Sequence, residues 1–256
     1  MTIDSGSVLR VAIVTGATGA IGSATARRLV AAGWQVALVG RDAARVQALS
    51  AELGPATVGL VADARVSSEV DAATRSAVER LGPPCALVHA VGSILLKPAH
   101  ALSDADIDDV LSVNLVSALY AVRAFVRAAP RGRPASILLF SSAATRIGLL
   151  NHEAIAAAKG GIDGLVTSAA ASYAARGIRV NALAPGLVRS RISQRLIDNE
   201  ATLRASEAMH PLGRVGDAED VAALAAFLVS PDAGWITGQI IAVDGGLSGV
   251  KLPPRA

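Results

Sequence analysis

The chain is poor in cysteine, lysine, aromatic residues and charge, and each shortage removes a class of function. Its single thiol, Cys85, rules out an intrachain disulfide and a cysteine-held metal cluster. It follows Pro83-Pro84 into an apolar run, which fits a buried structural thiol and a reducing compartment. Aromatic residues make up 3% and charged residues 18%, with a formal net charge of +3. Without stacking platforms or a dense Lys/Arg cluster, no nucleic-acid partner is expected. No uninterrupted apolar run approaches the ~18 residues that cross a bilayer. The opening residues, MTIDSGSV, lack the basic and apolar regions of a secretion signal, so a cytoplasmic protein without a membrane partner is expected. The histidines fall at no metal-ligand spacing, and no metal is expected. What the chain does have is apolar material: hydrophobic residues are 52% of its 256 positions, enough for one large core.

That material is arranged as short apolar runs alternating with longer helical patterns. The runs at 9–15, 35–39, 57–62, 86–90, 136–140, 179–183 and 239–243 read as strands. Near-continuous apolar character, as in LRVAIVT, marks strands covered on both faces. Between them, 23–32, 43–53, 67–81, 103–129, 152–175 and 217–229 read as helices. The first three are closed by Gly33, Gly54 and Gly82, and the fourth opens on Ser103 with Asp104 and Asp106 in its first turn. Strands alternating with helices imply parallel pairing through helical crossovers. The expectation is an α/β fold: one doubly wound Rossmann-type domain over residues 1–256, with about seven parallel strands flanked by helices. On such a sheet ligands bind at the carboxyl ends of the strands, so the residues just after each strand are the site candidates.

After the first strand, residues 15–22 read TGATGAIG and lead straight into a helix. Gly16, Gly19 and Gly22 let the chain turn sharply. Backbone N–H groups around Thr18, Gly19, Ala20 and Ile21 can then approach a pyrophosphate at the positive end of the helix. The loop is assigned to a dinucleotide. The second strand ends in Val39-Gly40-Arg41, with Asp42 one residue later. A carboxylate at the strand end would take ribose hydroxyls, whereas Arg41 suits a 2′-phosphate, so NADP(H) is favoured over NAD(H). The alternative is that Arg41 is a surface charge paired to Asp42.

With this loop and the segments that follow, the chain resembles the short-chain dehydrogenases/reductases, in their branch of about 250 residues. The resemblance runs over nearly the whole sequence. It implies an adenine contact for Asp63 and a structural and catalytic role for Asn114 in SVNLVSALY. Ser142 and Lys159 match the catalytic serine and lysine, the lysine also holding the nicotinamide ribose. Ala90 and Gly92 border the coenzyme after the fourth strand. NALAPG at 181–186 lies along the nicotinamide, which brings in Pro185, Gly186, Val188 and Ser190. PLGR at 211–214, ITGQ at 236–239 and Asp244-Gly245-Gly246 match the closing stretch. A small-molecule substrate would be set by a loop region around 187–215, where Arg189, Arg191, Arg195 and Arg204 leave an anionic substrate or solvated helix charges as readings. The Ala-rich helices 103–129 and 152–175 imply a homodimer or homotetramer.

Four departures from the family pattern stand out. The middle glycine is Gly19 rather than the position of Ala20. Asn-Asn-Ala-Gly after the fourth strand is replaced by His89-Ala90-Val91-Gly92, and a threonine by Ser190. The fourth concerns the proton donor, a tyrosine four residues before the lysine. Counting back from Lys159, or thirteen forward from Ser142, gives Ile155. Isoleucine can neither give nor take a proton, and neither Tyr120 nor Tyr173 is placed to substitute.

A nicotinamide beside Ser142 and Lys159 still suits hydride transfer, and the lysine still supplies charge to an oxyanion. His152 shares a helix face with Ile155 and Lys159 if the helix already includes it, which makes it a candidate acid. Glu153, or Lys159 or Ser142 with a water, are other routes, and capping or surface polarity is the plainer account of His152 and Glu153. The resemblance implies that His89 lies near the coenzyme and that His100 and His210 fall in regions bordering the substrate pocket, although a lone histidine is more often structural than catalytic. The expected function is NADP(H)-dependent reduction of a carbonyl, alkene or imine with a non-standard proton donor. A nucleotide-binding sensor or scaffold, or a lyase or isomerase in the same pocket, are the alternatives.

Overall fold

The apolar runs become strands because both of their faces are covered. The computed structural model describes residues 9–251; the opening octapeptide read above for a secretion signal lies outside them. The strands are β1 (Val11–Thr15), β2 (Gln35–Gly40), β3 (Thr57–Val61), β4 (Ala86–His89), β5 (Ala135–Phe140), β6 (Ile178–Pro185) and β7 (Ile240–Val243). They form one parallel sheet in the order β3-β2-β1-β4-β5-β6-β7. The helices are α1 (Ala20–Ala31), α2 (Ala43–Leu53), α3 (Ser67–Leu81), α4 (Asp104–Leu111), α5 (Ser117–Ala128), α6 (Glu153–Tyr173), α7 (Gln194–Ile197), α8 (Glu200–Met209) and α9 (Ala218–Val229).

Alternate residues of a strand face opposite sides, and the two cores follow that rule. Ile13, Ile137 and Leu139 pack with Ala77 of α3, Phe125 of α5 and Ile162 of α6. Their neighbours Ala12, Val14, Leu138 and Phe140 pack with Leu29 of α1, Leu49 of α2 and Leu228 of α9. This is the doubly wound Rossmann-type arrangement expected from the sequence. The helices at 43–53 and 67–81 have the expected ends, and most other boundaries move by one to three residues.

Three segments depart from expectation. Asp104–Ala128 run as one long helix, as expected, but a π-helical turn at Ser112–Val116 interrupts its α-helical ladder between α4 and α5. The turn brings Asn114 inward, where it is buried and its Nδ2 donates to the Val110 carbonyl at 3.0 Å. Asp104–Ala128 is, by length and composition, apolar enough to cross a membrane, and half of that window is buried inside the fold. Charged residues interrupt it, so a search for unbroken apolar runs passes over it. Second, α6 begins at Glu153, leaving His152 outside as the N-cap residue. Third, the loop region contains α8, opened by Asn199, whose side chain accepts from the Thr202 amide at 2.9 Å. None of its residues is fully buried.

One substitution tried in two helices tests how tightly the first turn of α1 is built. A Cβ on Gly22 would lie 2.3 Å from the Gly16 carbonyl oxygen, whereas nothing lies within 4 Å of one on Gly164 in α6. Gly22→Ala should destabilise by about 1–3 kcal/mol, and Gly164→Ala should stabilise by up to about 1 kcal/mol. Urea unfolding of both variants measures the contrast.

Candidate active site

A crevice opens where the chain leaves β1 towards β2 on one side and β4 towards β5 on the other. Gly16 makes the turn out of β1 with φ +71°, and a Cβ there would sit 2.5 Å from the Ala90 carbonyl oxygen. Only glycine lets the loop close onto the end of β4. Helix α1 then starts on Gly19, with no capping side chain and no acidic residue in its first turn. The first N–H groups of that helix have no intrahelical partner, and the arrangement suits a phosphate.

The cleft has a volume of about 450 Å³ and brings together most of the residues singled out by sequence. Thr18, Gly19, Ala20 and Ile21 line its phosphate end; Ala90, Gly92 and Asn114 line its middle. Ser142, Lys159, Pro185, Gly186, Val188 and Ser190 line the rest. Gly16 lies beneath the lining as the turn itself. Arg41 is exposed beyond β2 and outside the lining. Asp63 also lies outside it, its carboxylate gripped by Arg65 with Nη2 at 2.7 Å. That bond holds the Asp63 pKa below the ordinary carboxylate value. An uncapped helix start facing a glycine-walled cleft of this length fits the dinucleotide that the loop implies. Thr18 to Ile21 would hold its pyrophosphate, and Lys159 and residues 185–190 its nicotinamide end.

Lys159 is the unusual side chain. It projects from α6, is 8% exposed, and donates from Nζ to the Phe140 carbonyl at 2.9 Å. Burial disfavours its charge and pulls its pKa down to about 8, against which Asp163 one turn later acts weakly. Ile155 lies one turn before it, 5% exposed, and presents hydrocarbon to the cleft. Ser142 accepts at Oγ from the Ala144 amide at 3.2 Å, so its hydroxyl hydrogen is free to donate. Asn114 accepts from the Ser93 amide at 3.1 Å and donates to Ser93 Oγ at 3.0 Å. Ser190 is tied into its own turn, its Oγ 2.9 Å from Ser193 Oγ.

The remaining polar candidates sit elsewhere. His152 is absent from the lining, and its Nδ1 lies 2.7 Å from the Leu150 carbonyl. As the N-cap residue of α6 it turns its ring to that carbonyl and not into the cleft that holds Ile155 and Lys159. Glu153 is exposed and accepts from the Ala99 amide at 3.4 Å. His100 is exposed. His210 is buried under Gly186, with Nδ1 2.6 Å from the Ser206 carbonyl and Nε2 accepting from the Leu187 amide at 3.4 Å. Tyr120 and Tyr173 border a surface groove between α5 and α6. Sequence reasoning missed Arg45, Ser93, Ile94 and Ile192, and did not place Arg191 on the lining. Arg45 could have been found: it stands four residues after Arg41 in the first turn of α2 and donates to the Thr18 carbonyl. In the loop, Arg189 pairs with Glu207 and Asp217, and Arg204 with Glu200, as solvated charges do.

A family profile described as "Enoyl-(Acyl carrier protein) reductase" matches residues 16–248. The chain is 35% identical over 240 residues to galactitol 2-dehydrogenase (L-tagatose-forming) of Cereibacter sphaeroides, covering 92% of this chain and 93% of that one. It is 35% identical over 229 residues to the inactive 2-(S)-hydroxypropyl-CoM dehydrogenase 2 of Xanthobacter autotrophicus, covering 88% and 100%. A crystal structure of an actinorhodin polyketide ketoreductase variant with NADPH superposes with a TM-score of 0.88 at 28% identity, over 94% of this chain and 98% of that one.

Burying the Lys159 charge has a measurable cost. A pKa lowered from 10.5 to about 8 corresponds to about 3 kcal/mol of lost stability at neutral pH. Between those values the unfolded chain holds the proton that the folded one has dropped, so stability rises with pH there. Lys159→Met should be more stable than the parent by about 1–3 kcal/mol at pH 7. It should also lack the parent's rise between about pH 8 and 10. Urea unfolding at both pH values reads the effect.

Proposed function

The chain belongs to the short-chain dehydrogenase/reductase family and is an oxidoreductase of that type, and within the family we propose an NADP(H)-dependent reductase of a carbonyl, alkene or imine whose proton comes from Lys159. The bound coenzyme supplies the hydride. The observation that carries the rest is the lining of the cleft: its ionisable side chains are Lys159, Arg45 and Arg191, and burial pulls the Lys159 pKa down to about 8. We read Ile155 as standing where the family carries its tyrosine. The Ser142 hydroxyl holds the substrate oxygen by donating to it. The Lys159 ammonium lies in a site shielded from water, where its field on a developing oxyanion is strong. One Nζ hydrogen is committed to Phe140, which orients the others.

The coenzyme preference rests on the edge of β2. Asp42 uses its carboxylate to cap α2, accepting from the Arg45 amide at 3.1 Å. Among the described residues Arg41 makes no ion pair. Arg41 just before α2 and Arg45 in its first turn place two guanidinium groups near the glycine loop, which suits a 2′-phosphate. NADPH should raise the melting temperature more than NADH at equal concentration, and Arg41→Ala with Arg45→Ala should abolish the difference. Equal stabilisation by both coenzymes in the parent refutes the preference.

Turnover tests the proton route. Reduction needs the ammonium, so kcat should fall as pH rises through about 8, and alcohol oxidation should rise over the same range. Ile155→Tyr should accelerate carbonyl reduction by about 10²–10⁴-fold. Ile155 and the tied Ser190 favour a second reading, coenzyme binding with negligible turnover. Stabilisation by NADPH with no reduction across a carbonyl, alkene and imine panel, appearing only in Ile155→Tyr, would select it.

A further inference from the structure

His89 is buried, titratable and unused by the chemistry above. It ends β4, is 2% exposed, and is in register with Thr15, the last residue of β1. Its Nδ1 lies 2.7 Å from Thr15 Oγ1 and its Nε2 lies 3.0 Å from Ser117 Oγ. Ser117 gives its own hydrogen to the Val113 carbonyl at 2.6 Å. That donation sets the direction of the whole series. Ser117 Oγ accepts from His89 Nε2–H; a neutral imidazole carries one N–H, so Nδ1 accepts from the Thr15 hydroxyl. Burial, aided by the charge of Lys159, holds the imidazole pKa down to about 3. His89 is therefore neutral and neither gives nor takes a proton at working pH.

The series joins two places that matter. Thr15 is the root of the glycine loop, with Gly16 next in the chain. Val113 lies in the π-turn beside Asn114. Asn114 and Lys159 converge above Gly92: a Cβ built there would lie 3.2 Å from Asn114 Oδ1 and 3.7 Å from Lys159 Nζ. A π-turn is rare, and such turns occur frequently at functional sites. We propose that His89 is a positioning residue, a neutral strut that fixes the π-turn against the end of β1 and so sets Asn114 beside Lys159. The meaning of those two side chains rests on the oxidoreductase reading; the strut itself rests on geometry.

Four variants test it. His89→Leu removes both bonds at similar bulk, and Ser117→Ala cuts the series at its other end. His89→Asn and His89→Gln restore one acceptor and a donor. Amide hydrogen exchange is read over residues 112–117 and compared with the rest of the chain, alongside turnover and NADPH binding. In His89→Leu and Ser117→Ala, exchange in that segment should rise about tenfold above the remainder. Their kcat should fall about ten- to a hundredfold, while the NADPH dissociation constant changes less than about twofold. At least one amide variant should recover most of both effects. Unchanged exchange in the segment, coenzyme affinity that falls with kcat, or no recovery in either amide variant overturns the proposal. Should His89→Leu fail to fold, Ser117→Ala and the amide variants decide. A parent protein without turnover counts against the oxidoreductase reading alone, because the exchange comparison needs none.

Discussion

One ammonium taken out of water organises the cleft. Lys159 is buried behind the carboxyl edge of the sheet, and no carboxylate lines the cavity to neutralise it. Its environment is arranged around that charge. The Phe140 carbonyl, where β5 ends, accepts one hydrogen; Ile155 offers none; Asp163 sits a turn away and supports the charge at a distance. His89 stays neutral partly because the same charge is near. A buried charge without a counter-ion is destabilising. A site that tolerates one is prepared for negative charge arriving from elsewhere.

The other end of the cleft is prepared in the same sense by different means. There the positive potential comes from the unpaired N–H groups at the start of α1 rather than from a side chain. Backbone contacts that only glycine permits close this end onto the middle of the cleft. Gly16 closes on Ala90, and Gly22 on Gly16, with clearances that leave no room for a methyl group. Sheet topology fixes where the crevice opens, and these contacts fix its width. The hydrogen bonds from Thr15 through His89 and Ser117 to Val113 run from one end to the other inside the protein.

The sheet is legible in the sequence because β1, β4 and β5 are buried along their whole length and read as near-continuous apolar runs, while the edge strands β3 and β7 are only partly buried. The glycine loop, Asn114, Ser142 and Lys159 were legible because each sits at the carboxyl end of a strand or at a recognisable spacing. What escaped notice lacked a periodic signal. The π-turn at Ser112–Val116 changes the hydrogen-bond ladder without changing the apolar pattern on either side of it. Helix α8 adds nothing to the core clusters, so a reading built on core-facing runs does not include it. His152 stands at the start of α6 as its N-cap residue, and helix spacing does not show that its ring turns to the Leu150 carbonyl. Arg45 carries no strand-end signal: it lies in the first turn of the next helix, which borders the same cleft.

Replacing a phenol by an ammonium as proton donor changes the electrostatics of the step as well as its pKa. A phenol of ordinary pKa near 10 becomes an anion when it gives up its proton, and a neighbouring lysine stabilises that anion. In the proposed route Lys159 becomes neutral as the oxyanion takes its proton, so the two charges cancel in one step and no separate anion is left for the cleft to hold. An iminium accepts hydride and leaves a neutral amine, so its reduction needs no proton donor. Under that proposal the Ile155 wall bears on reduction of a carbonyl and not on reduction of an iminium.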